Sequence, residues 1–194
     1  MNNPSKDKTA RYISIVTQAP LLIAVLLILV SILQFDRFPY PYFFLSFILL
    51  PVIPTISIFI YSRHLNENHV EIENRKDRFL PYVVSLVSFG LLFILIPLTS
   101  GPILFLYISS CYFIGTLLLF FVNFFYKISV HAAGISIFSS TIVCIFGMIG
   151  LPSLILIPIV IWSRYHEKKH TASQLILGFS IGFIVPILLS FIYL

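Results

Sequence analysis

The sequence predicts an all-α fold, a polytopic bundle of about seven (six to seven) membrane-spanning helices in which residues 1–194 form a single transmembrane domain. Composition is the first reason, because 59% of the residues are apolar and only 10% are charged, against about a quarter in soluble domains. The second is recurrence, since apolar runs extend from Tyr12 to Leu194 with only short polar gaps. This chain therefore has too little polar surface for a water-soluble globule.

The individual spans follow from length, because a helix needs about 20 apolar residues to cross about 30 Å of hydrocarbon. Runs that meet this length or approach it cover approximately residues 12–35, 41–62, 81–99, 103–125, 130–149, 151–165 and 172–193. The first run follows a polar segment and lacks a small-residue cleavage site. We therefore expect it to be a retained span rather than a signal peptide.

Two of these spans have special features. Pro51 and Pro54 remove backbone donors from the second span and predict a kink within the membrane. The sixth span is the weakest, because its cleanly apolar part, residues 151–162, is only about 18 Å long as an α-helix. It must continue through residues 163–165 or lie in a thinned bilayer.

The charges predict the orientation of the bundle. With seven spans, eleven of the twelve Lys and Arg residues lie on one face, and Arg37 lies on the other. The positive-inside bias makes the charged face cytoplasmic in a multi-pass cell-membrane protein, with the N-terminus inside and the C-terminus outside. In a bilayer protein the net charge of +5 indicates loops or an anionic ligand, not nucleic acid. Cys111 and Cys144 lie in apolar runs and favour buried packing over a disulfide or a metal site.

Two basic regions on the charged face are candidate binding sites. Arg75, Lys76 and Arg78 precede Pro81, which suits the first turn of a helix, where free N–H groups favour an anion. Lys127 stands alone between two apolar runs, and His131 lies at or just inside the next helix. Ionisable groups at such depth are costly, so this pair is a functional candidate.

A third polar region, residues 163–174, fits two motifs. The segment from His166 to His170 is HEKKH, the HExxH pattern of zinc proteases, in which Glu167 would be the general base. That interpretation predicts an intramembrane metalloprotease. It needs a third protein ligand, for which His64, His69 and Glu71 are the candidates, because no ligating side chain follows His170.

The second motif begins at Ser163 and reads Ser-Arg, five residues, His170, three residues and Gln174. This pattern resembles Ser-Arg-x5-His-x3-Asp, the third signature of the type 2 phosphatidic acid phosphatase superfamily. The segment Ile-Ser-Val-His at 128–131 is similar to the family's second signature, Pro-Ser-Gly-His, and residues 75–81 resemble a degenerate Lys-x6-Arg-Pro. The three occur in the family's order over residues 71–182, as in a divergent bacterial and archaeal branch.

The resemblance implies a membrane lipid-phosphate phosphatase that needs no metal or other cofactor and acts on isoprenoid (poly)phosphates or phosphatidate-type lipids. It implies that His170 attacks phosphorus to form a phosphohistidine and that His131 protonates the departing lipid alkoxide. The residues implied to bind phosphate are Arg75, Lys76, Arg78, Ser129, Val130 and Arg164. Lys127 joins them because of its isolation in the sequence. The partners that the resemblance implies for the protein are a lipid phosphate and the bilayer.

Several positions depart from the family pattern. Gln174 replaces the aspartate that orients the nucleophile, so its carbonyl can hold the histidine tautomer but supplies no charge. Ile128 and Val130 replace proline and glycine in the second signature. The glutamine motivates one further alternative, a non-catalytic lipid-phosphate binder or transporter.

Span parity gives a separate expectation about the site. Two predicted spans separate the first basic region from His131, and two more separate His131 from His170. All three regions should therefore lie on one membrane face. If the sixth segment did not cross, the two histidines would lie on opposite faces.

Overall fold

The computed structural model describes residues 4–33, 39–65, 72 and 74–194, and all the regular secondary structure in these ranges is helical. Arg37, His69 and Glu71 lie outside the described residues. The α-helices are α1 (Pro4–Val16), α2 (Ala19–Leu33), α3 (Tyr40–Phe47), α4 (Ile53–His64), α5 (Phe79–Leu98), α6 (Ile103–Phe125), α7 (Val130–Phe146), α8 (Leu156–His166) and α9 (Ala172–Tyr193).

The helices have the length and composition of membrane spans. Five helical stretches in the described chain qualify, and a bent pair formed by α1 and α2 makes a sixth. These five stretches are Tyr40–His64, Phe79–Leu98, Ile103–Phe125, Val130–His166 and Ala172–Tyr193. Large apolar side chains point outward, among them Phe125, Phe191 and Leu98, which are 86%, 83% and 75% exposed. The prediction of a polytopic helical membrane protein is confirmed.

The first span, predicted over residues 12–35, is bent. Its two parts, Lys6–Val16 and Ala19–Leu33, meet at an angle of 58°. Pro20 has no N–H to donate to Val16 four residues earlier, so the helical ladder breaks here. The Thr17 N–H and hydroxyl both donate to the Ile13 carbonyl, at 3.0 and 2.6 Å, at the end of α1.

The second span accommodates its two prolines through a π-helical turn, Ile48–Val52, between α3 and α4. The Ile53 N–H donates to the Ile48 carbonyl, five residues back, and Pro54 has no N–H to offer Leu49. The Leu49 carbonyl instead accepts a hydrogen bond from the Ser88 hydroxyl on α5. The prolines thus accompany a π turn within the second span, and the hydrogen bond from Ser88 links this turn to α5.

The stretch Val130–His166 folds back on itself and supplies the sixth predicted span. Gly147 has a positive φ of 58°, and a 3₁₀ segment, Gly147–Ile155, leads from it into α8. The Ser139 hydroxyl donates to the Ser153 carbonyl at 2.9 Å, which places the returning limb antiparallel to α7. A 3₁₀-helix rises about 2.0 Å per residue, so from Gly150, which packs against the Ile142 carbonyl, the returning limb reaches about 28 Å even though its α-helical part is short. With the limbs counted separately and α1–α2 as one, the described residues form seven segments.

Helices α7 and α9 run parallel and pack closely. An added Cβ at Gly178 or Gly182 would lie closer than 3.0 Å to the carbonyl oxygens of Ser129 and Ala133, respectively. Small residues spaced four apart allow two helix backbones to approach in this way. Because Ser129 pairs with Gly178 and Ala133 with Gly182, the N-termini of α7 and α9 lie at the same end of the bundle.

That end also carries the start of α5. The Arg75 guanidinium contacts the last carbonyls of α6, so the segment before α5 meets the end of α6, just before α7 begins. The N-termini of α5, α7 and α9 therefore share one end, which we call the site end. The main hydrophobic core fills the middle of the bundle, with Leu26, Leu92 and Ile108 fully buried in it.

Candidate functional site

The loop between α8 and α9 carries His170 at the site end. Lys168, with φ of 56°, ends α8 in the left-handed conformation usually taken by glycine. The N–H groups of Lys168 and Lys169 donate to the carbonyls of Tyr165 and Arg164, at 3.0 and 3.3 Å. This Schellman arrangement turns the chain sharply after His166. His170 thus comes directly before α9.

The first turn of α9 fixes the orientation of the His170 ring. Thr171 is the N-cap, and it forms a capping box with Gln174. Gln174 Oε1 accepts the Thr171 backbone N–H at 3.2 Å and lies 3.2 Å from His170 Nδ1. Because this atom is an acceptor, Nδ1 must carry the proton, which leaves the lone pair on Nε2.

His170 is buried, with 6% of its surface exposed. Burial, followed by the nearby charges of Arg164, Arg78 and Lys127, lowers the pKa of His170 from 6.5 to about 3, against an opposing effect of the Gln174 hydrogen bond. The ring is therefore neutral at physiological pH. A neutral imidazole with a free lone pair can act as a nucleophile.

Arg164 is fully buried next to this histidine. Its guanidinium donates to Glu167 Oε2 at 3.0 Å and to the Ser14 hydroxyl on α1. The neighbouring Ser163 hydroxyl donates to the Ala10 carbonyl at 2.6 Å. Helix α1 therefore packs on the end of α8 and helps to hold the arginine in place.

Arg78 is held from two sides at the start of α5. Its Nε donates to the Ile72 carbonyl at 2.8 Å, and its Nη1 donates to the Ile128 carbonyl at 3.1 Å. Only 8% of its surface is exposed, and it lines the same cavity as His170. The second bond ties the first basic region to the segment that leads into α7.

His131 and its neighbours lie at the start of α7. Ser129 is the N-cap, and its hydroxyl accepts the Ala132 N–H at 3.3 Å. The Ser129 N–H donates to the Gln174 carbonyl at 3.4 Å, so it is engaged by α9. Val130 and His131 line one cavity together with Arg78 and His170. Both histidines are therefore at the site end, as span parity predicts.

Two hollows of different character meet at His170. The first, which we call the apolar cavity, runs into the bundle from Arg78 past Tyr82 to Phe89 and Tyr112. Its volume of about 160 Å³ is roughly tenfold what one water needs. The second, which we call the cationic cleft, contains Lys127, His166, Lys168, Lys169 and Gln174. His170 lines both hollows.

Three of the predicted phosphate-binding cations line neither hollow: Arg164, which is fully buried against Glu167 and Ser14, and Arg75 and Lys76. Arg75 donates to the carbonyls of Phe124 and Asn123, at 2.9 and 3.4 Å, and so caps the C-terminal end of α6. Its own carbonyl accepts a hydrogen bond from the Asn123 side-chain amide at 2.9 Å. Lys76 is exposed on the turn before α5. The structure thus separates Arg78 from its two neighbours.

The HEKKH segment does not form the helix that a zinc protease requires. Helix α8 ends at His166, so His166 and His170 do not share a helix face. The His166 ring stacks on Trp162 and lies 3.0 Å from an Asp7 carboxylate oxygen, while Glu167 pairs with Arg164. Among the described residues, no group of three potential metal ligands comes together.

Two contributors to the site were not predicted. Ser14 reaches Arg164 only because the bend between α1 and α2 lays α1 against α8, and nothing in the local sequence indicates this contact. Tyr82 lines the apolar cavity one helical turn beyond Arg78. The sequence signal that could have indicated Tyr82 is its position directly after Pro81, at the edge of a basic motif.

The site therefore combines a neutral, oriented histidine, a second histidine, buried arginines and three helix N-termini, whose partial positive charge favours an anion. Comparison with protein-family models, with curated proteins and with solved structures finds no match to this chain.

Proposed function

We propose that the protein is an integral membrane phosphatase that hydrolyses lipid phosphates through a phosphohistidine intermediate without a metal. One observation carries the proposal: His170, neutral and oriented, lies where an apolar cavity inside a membrane bundle meets a cationic cleft. An apolar hollow suits a lipid chain, and a cationic one suits its phosphate. The resemblance of the three polar segments to phosphatase signatures supports the same assignment.

The proposed reaction has two steps. In the first, His170 Nε2 forms a bond to phosphorus, the bond from phosphorus to the lipid oxygen breaks, and His131 gives a proton to the departing oxygen. In the second, water attacks phosphorus, the phosphorus–nitrogen bond breaks, and His131 takes a proton from the water. Inorganic phosphate leaves, and both histidines return to their starting states.

The cations have two tasks in this scheme. Arg78, which lines the apolar cavity beside His170, binds the phosphate oxygens, because a forked guanidinium group matches two oxygens at once. Arg164 lines neither hollow and contributes its positive charge from behind the histidine. Lys127 adds charge from the cleft, and the first turn of α7 at Val130 adds backbone dipole. These groups stabilise negative charge on the phosphoryl oxygens during transfer. Ser129 contributes as the N-cap that fixes this turn.

Gln174 tunes the nucleophile differently from a carboxylate. Its carbonyl holds the tautomer, but it places no negative charge beside the imidazolium formed when Nε2 binds phosphorus. We therefore expect phosphoenzyme formation to be slower than with an aspartate, and Gln174→Asp to accelerate it. The substrate class follows from the setting: isoprenoid (poly)phosphates and phosphatidate-type lipids both place a phosphate at the interface and a tail in the bilayer.

Phosphate release from purified protein tests the assignment. The assay uses farnesyl diphosphate, farnesyl monophosphate and dioleoyl phosphatidate in detergent micelles with EDTA. We expect phosphate release from at least one of these lipids. His170→Asn should keep the fold but lower kcat by about 10³-fold or more, because loss of the nucleophile removes the covalent route. Rapid quenching with a ³²P-labelled substrate should trap an acid-labile phosphoprotein in the wild type only.

His64→Asn is the matched control, because His64 ends α4 and lines neither hollow. Its activity should equal that of the wild type. Full activity in His170→Asn would overturn the assignment. Tight lipid-phosphate binding with no release by any variant, Gln174→Asp included, would instead identify a non-catalytic binder or transporter.

A further inference from the structure

The apolar cavity contains polar groups that the proposed chemistry does not use. Tyr82 and Tyr112 line it, and only 6% and 3% of their surfaces are exposed. Within the described part of the chain, neither hydroxyl has a hydrogen-bonding partner. The Ser85 hydroxyl, by contrast, donates to the Pro81 carbonyl at 2.8 Å. A buried hydroxyl without a hydrogen-bonding partner destabilises the protein, so a ligand oxygen that accepts its hydrogen bond gains binding free energy.

The two tyrosines lie at different depths. Tyr82 is four residues beyond Arg78 on α5, or about 6 Å along the axis, and its backbone N–H donates to the Arg78 carbonyl. Helical side chains lean toward the N-terminus, so the Tyr82 ring leans toward the site end. Tyr112 packs against Phe89, with ring centroids 6.4 Å apart. Phe89 lies eleven residues beyond Arg78, about 16 Å deeper in the bundle.

We propose that Tyr82 is a specificity-determining residue, whose hydroxyl donates a hydrogen bond to a carbonyl oxygen close to the phosphate of the bound lipid. The site then prefers ester-linked glycerolipid phosphates to isoprenyl phosphates. This inference rests on the proposed lipid-phosphate function and chooses between its two substrate classes.

The chemistry of the two lipid classes supports this choice. With the phosphate at Arg78, an ester-linked glycerolipid brings a carbonyl oxygen into the first helical turn of the cavity, at the level of Tyr82. An isoprenyl chain has only hydrocarbon there and would leave the hydroxyl unsatisfied. Leu119 and Val130 pack with Tyr82 in one hydrophobic cluster, and the Ser85 hydroxyl on the same cavity is already engaged by the Pro81 carbonyl. Tyr82 is therefore placed to distinguish the two chains at this depth.

The test compares three substrates that differ at this position. They are dioleoyl phosphatidate, its dialkyl ether analogue without carbonyl oxygens, and farnesyl monophosphate, each in the same micelles with EDTA. We expect wild-type kcat/KM to be about tenfold higher for the ester than for the ether, the worth of about one buried hydrogen bond. Tyr82→Phe should lower kcat/KM for the ester about tenfold, and it should change kcat/KM for the ether and for farnesyl monophosphate by no more than about twofold.

Tyr112→Phe provides a matched control, because it removes a similarly buried hydroxyl from the same cavity at a depth the ester does not reach. We expect it to leave the ester preference intact. Equal losses on all three substrates, or an unchanged ester preference in Tyr82→Phe, would overturn the role of Tyr82.

A binding experiment separates this inference from the proposed function. Non-hydrolysable phosphonate analogues of the ester and ether lipids are titrated against both Tyr→Phe variants and the wild type. If no lipid is hydrolysed, the phosphatase assignment fails, but tighter binding of the ester phosphonate that Tyr82→Phe abolishes still supports Tyr82. Hydrolysis of every lipid with equal binding of the two phosphonates refutes the Tyr82 inference alone.

Discussion

The ionisation of His170 illustrates how burial and charge set the chemistry of single residues. The His170 ring donates one hydrogen bond to Gln174, but burial, followed by the charges of Arg164, Arg78 and Lys127, lowers its pKa to about 3. The positive charges that would bind phosphate therefore also keep the nucleophile neutral. When a phosphate arrives, its negative charge offsets these cations, so that the imidazolium formed on attack is better tolerated than in the empty site.

This lowered pKa predicts a pH-dependent stability. The unfolded chain takes up a proton at His170 near pH 6.5, whereas the folded protein does so only near pH 3. Stability must therefore fall as the pH drops through this window, by about 2 kcal/mol from neutral pH to pH 5. His170→Asn should lose this pH-dependent part of the stability.

Unfolding by SDS in mixed micelles tests this expectation. We expect the free energy of unfolding to differ less between pH 7 and pH 5 in His170→Asn than in the wild type or His64→Asn. Equal differences in all three proteins would contradict the prediction.

At the scale of elements, the parallel packing of α7 and α9 determines whether a site exists. His131 follows the N-terminus of α7 by one residue, and His170 precedes that of α9. The two helices reach each other through Gly178 and Gly182, against backbone carbonyls of α7. The returning limb after Gly147 makes this pairing possible, because it brings the chain back to the site end. Had that limb not returned, the two histidines would lie at opposite ends.

Gly182→Ala tests this dependence on close packing. The added methyl group would overlap the Ala133 carbonyl oxygen. This oxygen belongs to the backbone of α7, so it cannot move aside as a side chain could. We expect the free energy of unfolding to fall by about 1–3 kcal/mol. The rate of phosphate release by the folded protein should fall as well, because the two helices separate at the site end.

Gly90→Ala is the control for this change. Its methyl group would meet the Phe113 ring at 3.0 Å, and a side chain can shift more easily than backbone. A Gly182→Ala protein as stable and as active as Gly90→Ala would show that the contact does not position the site.

At the scale of the whole molecule, the bundle has two chemically different ends. The site end carries the start of α5 and α7, the loop before α9 and the contact between α1 and α8. The opposite end carries the short turn at residues 99–102 and the reversal at Gly147. Basic residues concentrate at the first, so the positive-inside bias predicts that the site end faces the cytoplasm.

Labelling of single cysteines tests this orientation. In a Cys111→Ala/Cys144→Ala background, Lys6→Cys and Lys76→Cys place a thiol at the site end, and Ser100→Cys places one at the opposite end; all three positions are exposed. With a membrane-impermeant maleimide on intact cells, we expect labelling at residue 100 only. The other two should react only after the cells are opened. Labelling of residues 6 and 76 in intact cells would reverse the orientation, and labelling of all three would contradict the topology.

The sequence itself determines the helical membrane fold, since continuous apolar runs of about 20 residues match the length of helices that satisfy their own backbone groups in lipid. It also locates most helix ends, because proline, glycine and polar residues mark them; the span predicted at 103–125 is α6 itself. The bend at Thr17–Gln18 has a local cause, Pro20, which the predicted spans did not take into account. The long 3₁₀ segment after Gly147 could not be anticipated from local pattern, because it packs back against α7.

The candidate site divides in the same way. The sequence identifies His131, His170 and Gln174 from their motif spacing, and the hydrogen bond between Gln174 and His170 is a local consequence of one helical turn. Only the tertiary structure decides that Arg78 joins these histidines whereas Arg75, three residues earlier, caps α6. It likewise brings Ser14 to Arg164 and Tyr82 to the cavity wall. The physical reason is that a residue's chemistry is encoded locally, while its neighbours across helices depend on which faces the bundle buries.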